Sequence, residues 1–194
     1  GGLELEGLSL ALRVPVSVDE LVAHNTLGMV RGTDPELADE IVVVSAHMDH
    51  VGTNAEGEVF NGADDNATGT TTLMAAARVL ADNPAPRRSV VFLAVSGEEK
   101  GLLGSQWWVD NPTLPLEQVV ANINIDMVGR NDTGSIGTTP SPEHDHYNSL
   151  VVRARELAPR AGLTIDWEAG EGDYRRRVDD YYFRSDHVNF ANKG

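Results

Sequence analysis

The apolar positions of the chain follow a period of two in some stretches and a helical period in others. Leu8, Leu10, Leu12, Val14, Val16 and Val18 recur at alternate positions, which predicts a half-buried strand. A shorter strand is predicted over Asn25–Arg31, closed by the turn Gly32-Thr33-Asp34-Pro35. Their closeness in sequence predicts an antiparallel edge pair. Ile41–Ala46 and Ser89–Val95 are unbroken, β-branched apolar runs, the pattern of strands covered on both faces, and Val119–Met127 predicts a third central strand. Helices are predicted between them. Thr68–Ala81 carries Leu73, Ala76, Ala77 and Leu80 at helical spacing, with Pro84 just past its end. Gly101–Val109 suits a short helix stopped at Asn111-Pro112. Tyr147–Ala161 places Leu150, Val151, Ala154, Leu157 and Ala158 on one face, and Leu163–Trp167 follows as a short strand. Val51–Ala63, Asn131–Ser141 and Gly170–Asp180 are polar or Gly-rich and predicted to be loops. No repeat or internal linker interrupts the chain. Strands alternating with helices of this length predict one α/β domain, a three-layer α/β/α sandwich around a mostly parallel sheet.

Composition narrows the function classes. The chain has 194 residues and a 41% hydrophobic share, enough for one domain with a sizeable core. A formal net charge of -15 argues against nucleic acid and anionic membranes as partners, since both repel an acidic surface. Cations held among the carboxylates would neutralise part of that excess. Cysteine is absent, which removes disulfides and thiolate sites. No apolar run approaches the roughly 20 residues of a membrane helix. The chain opens Gly-Gly rather than Met, so a processed or trimmed product is expected, with any export signal removed.

The candidate chemistry lies at the ends of the apolar runs, where α/β folds gather their sites. His47 and Asp49 follow the first central run; residues two apart in a strand point the same way, so the imidazole can face a site with a carboxylate nearby. Asp64-Asp65-Asn66 precede the first helix, where Asn66 or Thr68 can cap it. Two adjacent carboxylates exceed what a cap needs, and like charges in a pocket call for a cation. Glu98-Glu99 follow the second run; they either open a helix in solvent or serve as a metal ligand beside a general base. Asp126 ends the third run, where an unpaired carboxylate is costly to bury. His, Asp and Glu without Cys point to a hydrolytic metal site with zinc favoured.

Taken in order, His47-x-Asp49, Gly62-Ala63-Asp64-Asp65-Asn66-Ala67-Thr68-Gly69, Gly97-Glu98-Glu99 and Asn124-Ile125-Asp126-Met127-Val128-Gly129 resemble the M28 family of zinc aminopeptidases. Asp34-Pro35, Arg184-Ser185-Asp186-His187 and Asn189-Phe190 also look like this family, and the resemblance runs from about Asn25 onward. It implies a co-catalytic dizinc exopeptidase with a mixed central sheet, acting on peptides with a free N-terminus. By this resemblance His47 and Asp126 are ligands of one zinc, and Asp65, four residues before Gly69, bridges both. Glu99 is a ligand of the second zinc, Glu98 is the general base and Asp49 orients His47. Family habit also implies export, to the periplasm or the medium.

The chain departs from the pattern at its end. The family's second zinc takes a further His, after one more strand, in a Tyr-His-Thr-like segment. The chain stops at Asn192-Lys193-Gly194, where that strand is expected to begin. The domain is therefore expected to lack its C-terminal strand and last ligand segment, and to hold its second zinc weakly. His50 and His187 are the candidates to fill the gap, against expectations of a solvated loop His and a hydrogen-bonded pocket His. His24, His144 and His146 are expected at the surface. Of Trp107-Trp108, one ring is expected in the core; Tyr181-Tyr182-Phe183 either line a pocket or pack. Arg175-Arg176-Arg177 reads as a solvated run. Two rival readings remain. A glutaminyl cyclase has a related fold but a single zinc and lacks the first His, which His47 opposes. A metal-binding or receptor-like homologue would have no use for Glu98.

Overall fold

The structure is a computed structural model that describes residues 9, 11–17, 20–130, 134–169 and 176–194. Its centre is a four-stranded sheet built from β1 (Thr26–Val30), β2 (Ile41–His47), β3 (Ser89–Val95) and β4 (Val119–Asn124), in the order β1-β3-β2-β4. β2 runs parallel to β3 in unbroken register, from Ile41 opposite Ser89 to His47 opposite Val95. β4 is parallel to β2 on the other side, and β1 alone is antiparallel, against β3. The helices α1 (Gly69–Asp82), α2 (Leu103–Asp110), α3 (Ser149–Leu157) and α4 (His187–Ala191) complete the chain with two small strand pairs. One pair is β5 (Ser135–Gly137) with β6 (Thr164–Asp166), the other β7 (Glu168–Ala169) with β8 (Arg176–Arg177).

Strand alternation sorts the core into two layers. Val43 joins Val91, Leu93 and Val95 on the face that packs against Trp108, Val109 and Phe190 of α2 and α4. Val44 and Ala46 join Val90 and Phe92 on the opposite face, covered by Leu73, Ala76, Ala77 and Leu80 of α1. Both faces are thus closed, which gives the three layers and explains why β2 and β3 carry no polar alternation. Trp108 is buried against Phe190, with ring centroids 5.6 Å apart, whereas Trp107 is exposed. α3 begins where Asn148 accepts hydrogen bonds from the amides of Leu150 and Val151.

Among the described residues the predicted edge pair does not form. Residues 11–17 are irregular, and Leu12, Val14 and Val16 are 81%, 65% and 77% exposed. Leu8, Leu10 and Val18 lie outside the described residues. Alternation makes a strand only where a neighbour supplies the ladder, and residues 11–17 do not pair with the outer edge of β1. The stretch predicted as loop over Asn131–Ser141 contains β5, held by β6; Gly170–Asp180 contains β8 and a helical turn over Val178–Tyr181. β5 arises from a partner distant in sequence, whereas β8 pairs with the neighbouring β7. Arg175 lies outside the described residues, and Arg177 approaches Glu143 and Asp179 at 3.6 and 3.5 Å. Among the described residues no helix is long and apolar enough to cross a membrane.

Candidate metal centre

The candidate residues meet at the C-terminal ends of β2, β3 and β4. His47 is the last residue of β2, with its side chain only 1% exposed. Its Nδ1 lies 3.1 Å from the carbonyl oxygen of Asp49, which can only accept, so Nδ1 carries a proton and Nε2 is the nitrogen left to face the site. Nε2 then faces a carboxylate shell: Asp65 Oδ1 at 3.2 Å, Asp126 Oδ1 at 3.3 Å and Glu98 Oε2 at 4.0 Å. His47 meets Asp49 at its backbone oxygen, while the Asp49 carboxylate stays 3.7 Å from Nδ1. That carboxylate instead accepts the amides of Glu98 and Glu99 at 3.2 and 3.3 Å, and so fastens the acidic turn to the end of β2.

Each acidic residue is placed by its local chain. Glu98 and Glu99 sit on a tight turn between Gly97 (φ 76) and Gly101 (φ 107), both left-handed positions that favour glycine. Asp65 and Asn66 leave the helical geometry of the turn Ala63–Thr68, and this directs Asp65 toward His47 rather than along the helix. Asp64 turns away, accepting from the amide of Gly129 and Nε of Arg130 at 2.8 Å each, so the two adjacent carboxylates have separate tasks. Asn66 is buried and ties the parts together. Its Oδ1 accepts from the amides of Gly69 and Met127, and its Nδ2 donates to the carbonyl of Ile125. One side chain thus caps α1 and grips the backbone on both sides of Asp126.

A polar relay reaches Asp126 from inside the sheet. Asn122 Nδ2 donates to Ser45 Oγ, which donates to Asn124 Oδ1. Asn124 Nδ2 donates to Ser185 Oγ at 2.7 Å, and Ser185 Oγ donates to Asp126 Oδ2 at 2.7 Å. With Oδ2 so engaged, Oδ1 is the oxygen presented to His47. Neither the relay nor the grip of Asn66 follows from spacing in the sequence; the signal that could have found them is the polar alternation of Asn122 and Asn124 in an otherwise apolar strand.

The electrostatics are those of an anionic cluster. Burial works against a charged His47, yet the hydrogen bond and charge of Asp126, with Glu98 and Asp65, raise it to about 9. Burial, then the charges of Glu99 and Asp126, push the Asp65 carboxyl up. Burial chiefly pushes Glu98 up to about 7. Asp126 is held low in spite of its burial by hydrogen bonds from His47 and Ser185. Ligand atoms of His47, Asp65 and Asp126 lie within 4.8 Å of one another, and so do those of His50, Asp65 and Glu99. The two groups share Asp65. Nitrogen and oxygen donors, a fixed tautomer and crowded carboxylates suit a borderline cation such as zinc.

His187, at the start of α4, belongs to neither group. It is mostly buried edge-on to Tyr182 with ring centroids 5.0 Å apart, and burial lowers its pKa. His24 and His146 are exposed as expected, His146 stacking on Tyr182 at 5.0 Å, whereas His144 is half-buried, its ring 4.5 Å from Tyr182. Tyr182 is buried and Phe183 exposed, so that tripeptide both packs and faces solvent.

The comparisons with known proteins follow this geometry. The chain is 32% identical over 141 residues to a probable leucine aminopeptidase of Arthroderma benhamiae, covering 69% of this chain and 39% of that protein. BSAP, a zinc aminopeptidase from Bacillus subtilis, superposes with a TM-score of 0.61 at 27% identity, over 87% of this chain and 37% of that one. A glutaminyl cyclase of Porphyromonas gingivalis gives a TM-score of 0.62 at 21% identity over 87% of this chain and 59% of its own, a likeness of fold. The chain spans two fifths or less of the length of the curated relatives it matches. The sequence profile of peptidase family M28 matches residues 25–194, and the chain belongs to that family.

Proposed function

We propose that this domain is the catalytic unit of a zinc aminopeptidase that hydrolyses the first peptide bond of peptides with a free amino terminus. The observation that carries the reading is the position of Glu98. Its carboxylate is 4.0 Å from the outward-facing nitrogen of His47, beside both candidate metal groups and a member of neither. His47, Asp65 and Asp126 would hold one zinc, and Asp65 with Glu99 would contribute to a second. Zinc there supplies Lewis acidity toward the scissile carbonyl and toward water. Glu98 takes the proton of the attacking water at a carboxylate oxygen and delivers it to the leaving amine nitrogen. The Asp49 carboxylate holds the Glu98 amide and keeps that side chain in register with His47. The surplus of carboxylates around the site favours a substrate carrying an ammonium group at its end.

The names of the relatives support zinc and aminopeptidase chemistry, as belonging to those proteins. The fold likeness to a glutaminyl cyclase does not separate the two chemistries; His47 at the centre of the cluster favours the peptidase. The test is Glu98→Gln, assayed on a dipeptide, its N-acetylated form and a glutaminyl peptide, with bound zinc measured in parallel. The expected result is release of the N-terminal residue from the free dipeptide alone, and a loss of kcat of about 10²–10⁴-fold in the variant with zinc retained. Turnover unaffected by the substitution, or cyclisation of the glutaminyl peptide without hydrolysis, overturns the proposal.

A further inference from the structure

We propose that Asn189, set by Ser105 and Asp186, is a positioning residue for Glu98, acting through the backbone at the far end of the acidic turn. This rests on the reading of Glu98 as the general base and adds to it what keeps that base in place. Asp49 grips the near end of the turn through the amides of Glu98 and Glu99. The far end closes at Leu102, whose amide donates to the Glu98 carbonyl oxygen at 2.9 Å. Leu102 has φ 59, a left-handed backbone that a leucine adopts only at a cost and keeps only where its surroundings impose it. The second grip comes from α4. Asn189 Nδ2 donates to the Leu102 carbonyl oxygen at 3.2 Å, across 87 positions of sequence. Leu102 is thus fixed on both sides, its N–H on Glu98 and its C=O on Asn189.

Asn189 is itself oriented by a buried polar chain. Its Nδ2 also donates to Ser105 Oγ at 2.8 Å, and Ser105 Oγ donates to Asp186 Oδ1 at 2.5 Å. Ser105 Oγ lies 3.2 Å from the Leu102 carbonyl oxygen as well, but its single proton goes to the nearer, charged acceptor. The Ser105 oxygen is then an acceptor toward Asn189, and both amide protons of Asn189 are engaged, one on Ser105 and one on Leu102. Ser105 and Asp186 are 0% exposed and Asn189 is 5% exposed, so water is not at hand to replace a lost bond. The next residue, Phe190, packs on Trp108 and seats α4 against α2. A carboxylate is costly to bury, and packing two helices does not require one. At the head of this chain it polarises the bonds that end on the acidic turn.

The experiment is a double-mutant cycle on turnover of a free dipeptide, with bound zinc measured by elemental analysis and folding by circular dichroism. Asn189→Leu removes the donor at similar volume, and Asn189→Ser is the second variant should the apolar side chain prevent folding. Each is combined with Glu98→Gln. In the wild-type background the loss of Asn189 should lower kcat by about 10–100-fold, the scale of a small misplacement of a catalytic group, with KM little changed. Zinc at the position of His47, Asp65 and Asp126 should be retained, since none of the three lies on the turn. In the Glu98→Gln background the same substitution should lower kcat by less than about threefold, because a base already removed cannot be misplaced. An equal loss in both backgrounds, a kcat that falls only together with zinc content, or folded variants with unchanged kcat would each overturn the positioning role and leave the peptidase reading standing. Glu98→Gln that turns over as fast as the wild type overturns that reading, and the positioning role with it.

Discussion

Removing the hydroxyl of Ser185 tests whether the relay orients Asp126 or only packs the strand end. In Ser185→Ala the Asp126 carboxylate loses a charge-assisted donor at 2.7 Å and the Asn124 amide loses its acceptor at 2.7 Å. A hydrogen bond to a charged group is worth about 1.5–3 kcal/mol and a neutral one about 0.5–1.5 kcal/mol. The Asp126 side chain is 21% exposed, so water replaces part of the first bond, while Ser185 itself is buried. A loss of about 2–3 kcal/mol in the metal-free protein follows, read by urea denaturation. The larger consequence concerns the metal. Without Ser185 either Asp126 oxygen can turn toward His47, and zinc affinity at the first position should fall about 10–100-fold in chelator competition. Lost stability with unchanged zinc affinity would refute the orienting role.

Three other outcomes follow from the geometry. Gly69→Ala sets a Cβ against both Asn66 Oδ1 and the Ile125 carbonyl oxygen, so it should cost about 1–3 kcal/mol in thermal or urea unfolding and also weaken zinc binding, because Asn66 secures the backbone around Asp126. Burial pushes Asp186 up to about 6, its Oδ1 accepting from Ser105 at 2.5 Å and its Oδ2 without a partner. The native state therefore binds this proton more tightly than the unfolded chain, so the group favours folding below its unfolded pKa and loses that contribution as pH rises through about 6. Compared with metal-free wild type, Asp186→Asn should gain stability on going from pH 4 to pH 7 by about 2 kcal/mol, and parallel pH profiles for the two proteins would contradict this. Chelation of zinc should lower Tm at neutral pH, because the burial and mutual repulsion that raise Asp65 are no longer offset when the cation leaves; an unchanged Tm would argue against a metal at this cluster.

How much of this was legible in the sequence depends on how local each cause is. β2, β3 and α1 were visible because burial on both faces, or on one helical stripe, leaves a periodic trace that a window of ten residues contains. His47, Asp65, Glu98, Glu99 and Asp126 stood out because each is a charged or titratable group at the end of such a run, and the structure brings all five together. Leu8–Val18 has the rhythm of a strand, but rhythm does not supply a ladder, and its described residues 11–17 leave the outer edge of β1 unpaired. β5 and β6 are three residues each and exist only through one another. Ser185 sits 59 residues from Asp126 in sequence, and no spacing rule connects them. His50 resembled a solvated loop residue because its partners, Glu99 and Gly62, lie on other segments.

The relay through Ser45, Asn124 and Ser185 also sets the order in which the site can come into being. Its links join residues 79 and 61 positions apart, and His47 meets Asp126 across 79 positions. Contacts of this span form late, after the loop entropy of the parallel crossovers has been overcome. A nascent chain that has emerged only through β3 carries His47 and Asp65 but not Asp126, and one that has reached β4 still lacks the donor that fixes the Asp126 carboxylate. On the proposed reading, high-affinity metal uptake at this position would come as the last step of folding, and a stalled or clipped chain would be left without it.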